Sequence, residues 1–162
     1  LAQRKLPFLS HVGYEFSLIG KDQSLGDPER LRLALDEGVT VIAAHACSYG
    51  LMLYEKFLPT FQELARRYPH FYADISALTQ PHRLKMLLHL RHYPKLHSRL
   101  LFGTDYPLSV FHMAAWGRVG FGRLWNMIRT RNRFDRQVAV CQGLNLNFRS
   151  FGELVSDRST YS

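Results

Sequence analysis

Long apolar segments, cysteines and acidic residues are all scarce in this sequence of 162 residues. No apolar run approaches the roughly 20 residues that a membrane-spanning helix needs, and the first residues lack the pattern of a signal peptide. The two cysteines, Cys47 and Cys141, are too few for a disulfide framework and lack the spacing of a zinc ribbon. We therefore expect a cytoplasmic protein without membrane association.

Acidic residues are outnumbered by basic ones, 13 against 21, which gives a formal net charge of +8. Such an excess is typical of a solvated basic surface, of a protein that binds an acidic partner or nucleic acid, or of a chain whose acidic part lies elsewhere. The arginines are scattered and form no compact basic run, which favours the solvated surface. Because no recognised nucleic-acid motif occurs, a nucleic-acid partner is not expected. The arginines concentrate in one region: Arg118, Arg123, Arg129, Arg131, Arg133 and Arg136.

The length and composition predict a single globular domain. With 46% hydrophobic and 21% charged residues, the chain can bury one core but is too short for two comfortable ones. We predict that residues 1–155 form this domain. Residues 156–162 have no apolar period and are predicted to form a frayed tail.

Apolar runs alternate with helical patterns four times along the chain. The predicted strands are Leu6–Ser10, Val39–Ala44, Phe71–Ser76 and Leu100–Gly103. Helices are expected to begin near Asp27-Pro28, Pro59, Pro81, Leu124 and Asp135. Strand ends recur at intervals of roughly 30 residues, the size of a βα unit, so the strands are predicted to be parallel. Four such units fit either a small open sheet or half of an eight-stranded barrel.

Three polar side chains directly follow predicted strands: His11, His45 and Asp105. Because the carboxyl ends of parallel strands meet at one rim, we expect these side chains to lie close together. Two imidazoles and a carboxylate suit Zn²⁺, with Mn²⁺ or Fe²⁺ as alternatives. A metal there would lower the pKa of a bound water, whose proton Asp105 could relay. The alternative is that each side chain only satisfies hydrogen bonds at the end of its strand.

Four further polar residues each have a functional and a structural interpretation. Asp74 either faces a barrel lumen or hydrogen-bonds a neighbouring loop. The second, structural interpretation is favoured. Ser48 and Ser76 are either donors to a substrate or capping residues. Cys47 follows His45 closely, but no third group orients this pair as a nucleophilic site requires. We therefore expect Cys47 to take no part in chemistry.

Four short motifs are shared with a known family: His11-Val12-Gly13, Gly26-Asp27-Pro28, Val41-Ile42-Ala43-Ala44-His45-Ala46 and Leu101-Phe102-Gly103-Thr104-Asp105-Tyr106-Pro107. They resemble the amidohydrolase-related family, which comprises metal-dependent (β/α)8-barrel hydrolases and decarboxylases. The resemblance covers about residues 5–110. It implies that the chain is the C-terminal half of such a barrel, strands five to eight. His11 is then a metal ligand, His45 a catalytic histidine, and Asp105 both a metal ligand and the proton shuttle.

One feature of that family is missing, because the sequence contains no His-x-His pair. The resemblance therefore implies that strands one to four are absent, so that both terminal strands expose an unpaired edge. His11 and Asp105 alone are too few ligands to hold zinc tightly. We expect the isolated chain to be inactive, and we expect activity on a small carbonyl or carboxylate compound in the complete protein or in an assembly such as a homo-oligomer. The alternative is a non-catalytic scaffold that binds an acidic partner through its Arg-rich region.

Overall fold

A computed structural model describes residues 1–15, 22–51 and 54–159 of the chain. Within these residues four short strands form one sheet in the order β1-β2-β3-β4, and every neighbouring pair is parallel. Each strand lies inside its predicted run, so the predicted α/β class with a parallel sheet is confirmed. The strands are β1 (Phe8–Ser10), β2 (Val41–Ala43), β3 (Phe71–Asp74) and β4 (Leu100–Leu101).

Helices connect the strands and follow the last of them. The α-helices in the described residues are α1 (Arg32–Asp36), α2 (Leu58–Arg67), α3 (Leu84–Leu90), α4 (Phe121–Arg129), α5 (Arg133–Gly143) and α6 (Phe151–Ser159). Short 3₁₀ turns are Ala2–Arg4, Gln23–Gly26, Pro28–Leu31, Ala44–Cys47, Pro94–Arg99 and Met113–Ala115. Asp27 caps as predicted, since its carboxylate accepts the N–H of Glu29, but it opens a 3₁₀ turn that leads into α1. Among the described helices, none has the length and apolar character that crossing a membrane requires.

One face of the sheet packs against the helices and forms the main core. Phe71 and Ala73 of β3 are fully buried there, together with Phe61 and Leu64 of α2. Side chains alternate between the two faces of a strand, and the residues of β3 that lie between the buried ones are partly exposed. Asp74, the last residue of β3, is one of these, so it lies on the other face of the sheet.

The opposite face of the sheet is covered in part by α6. Leu154 of α6 packs against Ile42 of β2 and Leu101 of β4, and all three side chains are at most 4% exposed. No helix is predicted here from the sequence. It continues through Ser156 to Ser159, into the segment for which a frayed tail is predicted, while residues 160–162 of that segment lie outside the described residues.

The two edges of the sheet differ. On one side no described strand pairs with the outer edge of β1, where Leu9 is 62% exposed. On the other side the N–H of Phe102 donates to the carbonyl of Arg149 (2.8 Å), and the N–H of Arg149 donates to the carbonyl of Leu100 (2.9 Å). The expectation that both terminal strands have an unpaired edge is therefore wrong for β4. The reason is that the chain between α5 and α6 returns to this strand and satisfies its backbone groups.

Candidate functional site

An open cleft of about 610 Å³ extends along one face of the sheet to the carboxyl ends of the strands. Segments that follow all four strands contribute to it, as expected for a parallel sheet. The three candidates predicted from sequence, His11, His45 and Asp105, all line this cleft. Its other polar residues are Asp74, Ser76 and Thr104, and its apolar wall consists of Pro7, Leu9, Ile42, Ala44, Leu101, Phe102 and Phe151.

His11 follows the last residue of β1 and has an imidazole that is 47% exposed. Its Nε2 lies 3.8 Å from Oε2 of Glu15, four residues further along the chain. Partial burial, helped by the positive charge of Arg83, lowers the pKa of His11, and the carboxylates of Glu15 and Asp105 only partly oppose this effect. At neutral pH the ring is therefore uncharged and has a lone pair available to a ligand or a proton.

His45 lies in the 3₁₀ turn that follows β2, and its backbone is strained. His45, Ala46 and Cys47 have φ angles of 56°, 48° and 59°, so three consecutive residues without a glycine adopt the left-handed region. Each such residue costs on the order of 1 kcal/mol or more and persists only where its surroundings hold it. The turn redirects the chain so that the imidazole, 7% exposed, faces the cleft. Burial and the nearby charge of Arg83 lower the pKa of His45.

The carboxylate of Asp74 holds this strained turn in place. Its Oδ1 accepts hydrogen bonds from the N–H of His45 (2.9 Å), the N–H of Ser76 (3.0 Å) and the hydroxyl of Ser76 (2.5 Å). Asp74 therefore hydrogen-bonds the neighbouring loop, which is the structural alternative favoured from sequence. It also lines the cleft, so its contacts bear directly on the site.

Ser76 contacts the ring of His45 as well as Asp74. The hydroxyl Oγ of Ser76 lies 2.8 Å from Nδ1 of His45, and the carbonyl oxygen of Ser76 lies 3.1 Å from the same nitrogen. Ser76 is 4% exposed. Its hydroxyl is therefore occupied by neighbours in the protein and is not free to donate to a substrate.

Asp105 reaches the cleft from the loop after β4, with a φ of 56° and a side chain that is 42% exposed. Its Oδ2 lies 3.9 Å from Nε2 of His45. The rings of His11 and His45 meet edge to face with their centroids 5.1 Å apart. The fold thus brings the three predicted residues together, from the ends of β1, β2 and β4.

The same three residues do not form a complete metal site. In the part of the chain that the structure describes, no group of three or more His, Cys, Asp or Glu side chains is arranged to hold a metal ion. Neutral imidazole and carboxylate are nevertheless the donor types that zinc and related divalent cations prefer. The donors therefore fit such an ion in kind, and further ligands would be needed to complete its coordination.

Ser48 and Cys47 lie behind the site and are fully buried. The hydroxyl of Ser48 donates to Oε1 of Glu55 (2.8 Å), so this serine is not positioned as a donor to a substrate. Burial raises the pKa of the Cys47 thiol well above its usual value. Because only the thiolate is a good nucleophile, this agrees with the expectation that Cys47 takes no part in chemistry.

Sequence reasoning missed Arg83, whose side chain is only 1% exposed. Its Nη1 donates to the carbonyl of Ser48 (3.1 Å), and its Nη2 pairs with Oε2 of Glu15 (3.3 Å). Arg83 thereby joins the loops that follow β1 and β2, which carry His11 and His45. One signal was present, since Arg83 falls at the start of a predicted helix, where the helix dipole disfavours a cation.

Gln137 and Gly103 position the segment that leads to Asp105. The side-chain amide of Gln137, on α5, donates to the carbonyls of Ile75 (3.2 Å) and Gly103 (2.6 Å) and so ties the ends of β3 and β4 together. A Cβ at position 103 would lie 3.0 Å from Cβ of Asp74, which is too close for a side chain to be accommodated without a shift. Glycine therefore lets the chain pass Asp74 on its way to Asp105.

Comparison with known proteins does not add to this geometry. No family model, no curated protein and no solved structure matches the chain.

Proposed function

We propose that this sheet is the C-terminal half, strands five to eight, of a (β/α)8 barrel of the amidohydrolase-related type. In this proposal it carries part of the active site of a metal-dependent hydrolase or decarboxylase that acts on a small carbonyl or carboxylate compound. One observation carries the proposal: His11, His45 and Asp105 line one cleft at the carboxyl ends of parallel strands. Active sites of parallel α/β proteins lie at this end of the sheet.

The proposed cofactor is a divalent cation, zinc first, with manganese or iron as alternatives. His11 and Asp105 would hold it, because they offer a neutral imidazole and a carboxylate at the open rim. A catalytic zinc needs about three protein ligands, so at least one more would come from the other half of the barrel, either in the complete protein or in an assembly with another chain. When bound, such a metal polarises a carbonyl and lowers the pKa of a bound water.

The residues of this chain have separate roles in the proposed site. Asp105 is exposed at the mouth of the cleft, where it can take up a proton and return it to the product. His45 is the most enclosed of the three candidate residues and contacts the substrate or the attacking water from the inner wall. Arg83 and Asp74 hold the loops that carry the histidines, which keeps the two rings in contact.

Cobalt binding tests the metal part of the proposal, because Co²⁺ reports its ligands through visible absorption and replaces zinc in many sites. The wild-type chain should bind a single cobalt ion, weakly because its ligands are few, and His11→Ala and Asp105→Ala should each weaken binding at least about tenfold. His92→Ala is the matched control, since this exposed histidine lies outside the cleft. Equal cobalt affinity of the wild type and of a variant that combines His11→Ala with Asp105→Ala would overturn the proposal.

A second candidate function is supported by the surface of α4. Phe121 and Trp125 are 80% and 48% exposed on this helix, and the guanidinium of Arg129 lies 5.8 Å from the Trp125 ring. Exposed aromatic and arginine side chains together are characteristic of protein interfaces. A non-catalytic scaffold would use this surface to bind an acidic partner. Salt-sensitive binding of polyglutamate, followed by Trp fluorescence and weakened by Arg129→Gln, would support it, whereas equal binding by the variant would exclude it.

A further inference from the structure

The hydrogen bonds around His45 determine which of its two ring nitrogens carries the proton. Nδ1 has two oxygen neighbours, the carbonyl of Ser76 at 3.1 Å and the hydroxyl of Ser76 at 2.8 Å. A carbonyl oxygen only accepts hydrogen bonds, whereas a hydroxyl oxygen accepts or donates. The direction of the second contact therefore decides the tautomer.

The hydroxyl of Ser76 donates its hydrogen bond to Asp74. Its Oγ lies 2.5 Å from Oδ1 of Asp74, and the same Oδ1 also accepts the backbone N–H groups of His45 and Ser76. Because both N–H groups are obligatory donors, this carboxylate oxygen carries no proton and can only accept from the hydroxyl. Because its only proton points to Asp74, the hydroxyl can act toward His45 only as a hydrogen-bond acceptor. Both neighbours of Nδ1 are therefore acceptors, and Nδ1 must carry the hydrogen.

A neutral imidazole has a single N–H, so the other nitrogen of His45, Nε2, is unprotonated. Nε2 lies on the side of the ring toward the cleft, 3.9 Å from Oδ2 of Asp105. An unprotonated nitrogen cannot donate to a substrate carbonyl, but it accepts a hydrogen bond from an O–H group. The tautomer therefore decides whether His45 is a hydrogen-bond donor or a hydrogen-bond acceptor toward a bound molecule, which its position alone leaves open.

We propose that Asp74 and Ser76 are positioning residues that keep His45 in the Nδ1–H form, so that Nε2 receives the proton of an attacking water or of a substrate hydroxyl. The role in a reaction rests on the function proposed above, whereas the tautomer does not. In the transfer the O–H bond breaks, an Nε2–H bond forms, and the electron pair stays on the oxygen that attacks. The resulting imidazolium lies beside Asp105 and is linked through Ser76 to Asp74, and its proton passes to Asp105, which returns it to the product.

Asp74 is suited to this role because one of its oxygen atoms controls both the backbone and the ring of His45. The bond to the N–H of His45 secures the left-handed turn, while the bond to the Ser76 hydroxyl orients the acceptor for Nδ1. Orientation of a histidine through hydrogen bonds on its second nitrogen is how proteins commonly select its tautomer.

Nitrogen-15 NMR of the histidine rings tests the assignment directly in the wild-type chain without metal. At pH 7.5 the ring of His45 should show a protonated Nδ1 and an unprotonated Nε2, the opposite of the form that free histidine prefers. Ser76→Ala should raise the population of the Nε2–H form, because one of the two acceptors is lost. Ser76→Thr, which retains the hydroxyl, should restore the wild-type spectrum, and circular dichroism verifies that each variant is folded.

Thr79→Ala is the matched control, since it removes a buried hydroxyl that accepts the N–H of Phe111 (3.4 Å) and does not contact His45. This variant should leave the His45 resonances unchanged. A protonated Nε2 in the wild-type chain would overturn the inference even if cobalt binds as proposed. A protonated Nδ1 in a chain that binds no cobalt would instead support the tautomer and overturn the metal chemistry alone.

Discussion

Nε2 of His45 and Oδ2 of Asp105 lie 3.9 Å apart across the cleft, although the two residues follow different strands of the sheet. This distance is too long for a hydrogen bond, so both groups remain able to contact the same small atom or molecule. Contacts made by the segments on each side of the cleft maintain this separation. Asp74 holds the turn of His45, and Gln137 holds the segment that leads to Asp105. The geometry of the site therefore depends on contacts along the whole carboxyl edge of the sheet.

Removal of the buried guanidinium of Arg83 should destabilise the protein. We expect Arg83→Met to lower the free energy of unfolding by about 1–3 kcal/mol, because the loops after β1 and β2 lose their shared donor and the buried carbonyl of Ser48 loses its hydrogen bond to Arg83. Urea denaturation measures this difference. Arg32→Met is the control, since its partners Glu29 and Glu63 are 48% and 44% exposed, and it should cost less than about 1 kcal/mol. Equal losses for the two variants would contradict the assigned role of Arg83.

The carboxylate of Glu55 should make stability depend on pH with a defined sign. Burial raises the pKa of Glu55, although Tyr49 and Ser48 donate hydrogen bonds to it. The folded state therefore retains this proton to higher pH than the unfolded state, whose pKa is near 4.5. The stabilising contribution is complete below that pH and is lost as the pH rises through the folded-state pKa.

The non-titrating variant Glu55→Gln tests this sign. Relative to wild type, it should gain stability between pH 4.5 and pH 7.5, as measured by urea denaturation at both values. Glu37→Gln removes an exposed carboxylate and should show a much smaller change over the same interval. A relative loss of stability for Glu55→Gln with rising pH would show that the buried carboxylate is not destabilised by its surroundings.

The contact of α6 with the sheet should depend on Leu154. We expect Leu154→Ala to lower the free energy of unfolding by about 2 kcal/mol, at the low end for a buried leucine because its cluster is small. Amide hydrogen exchange of residues 151–156 should also accelerate, since Leu154 is the buried residue within this part of the helix. Leu33→Ala, at a position that is 76% exposed, should change neither quantity appreciably. Unchanged exchange in Leu154→Ala would mean that α6 is held by other contacts.

The parallel direction of the strands and the meeting of His11, His45 and Asp105 were predictable from the sequence for a simple reason. Apolar runs that end in a polar residue and are followed by helical patterns lead to parallel strands, and parallel strands bring their carboxyl ends together. The predicted strands were longer than the observed ones. At β2 the left-handed turn at His45 ends the strand, and nothing in the residue types there, which include no glycine, indicates such a backbone.

The supporting residues were harder to predict because they act through single contacts that leave no periodic pattern. Arg83 is a single buried arginine among polar neighbours, and Gln137 is a polar residue on the buried side of α5. Within residues 151–156 of α6, whose burial is described, only Leu154 is buried against the sheet. The sequence of this helix therefore lacks the apolar period from which a helix is recognised. The pairing of Arg149 with β4 is a backbone contact and is equally independent of side-chain type.

A zinc titration followed by nitrogen-15 NMR of the histidine rings tests the proposal that His11 and Asp105 of this sheet bind one divalent cation. We predict that the ring nitrogens of His11 shift on addition of zinc, that the shift disappears in Asp105→Ala, and that the exposed His92 is unaffected. An unchanged His11 ring, or a shift that persists undiminished in Asp105→Ala, would contradict the claim.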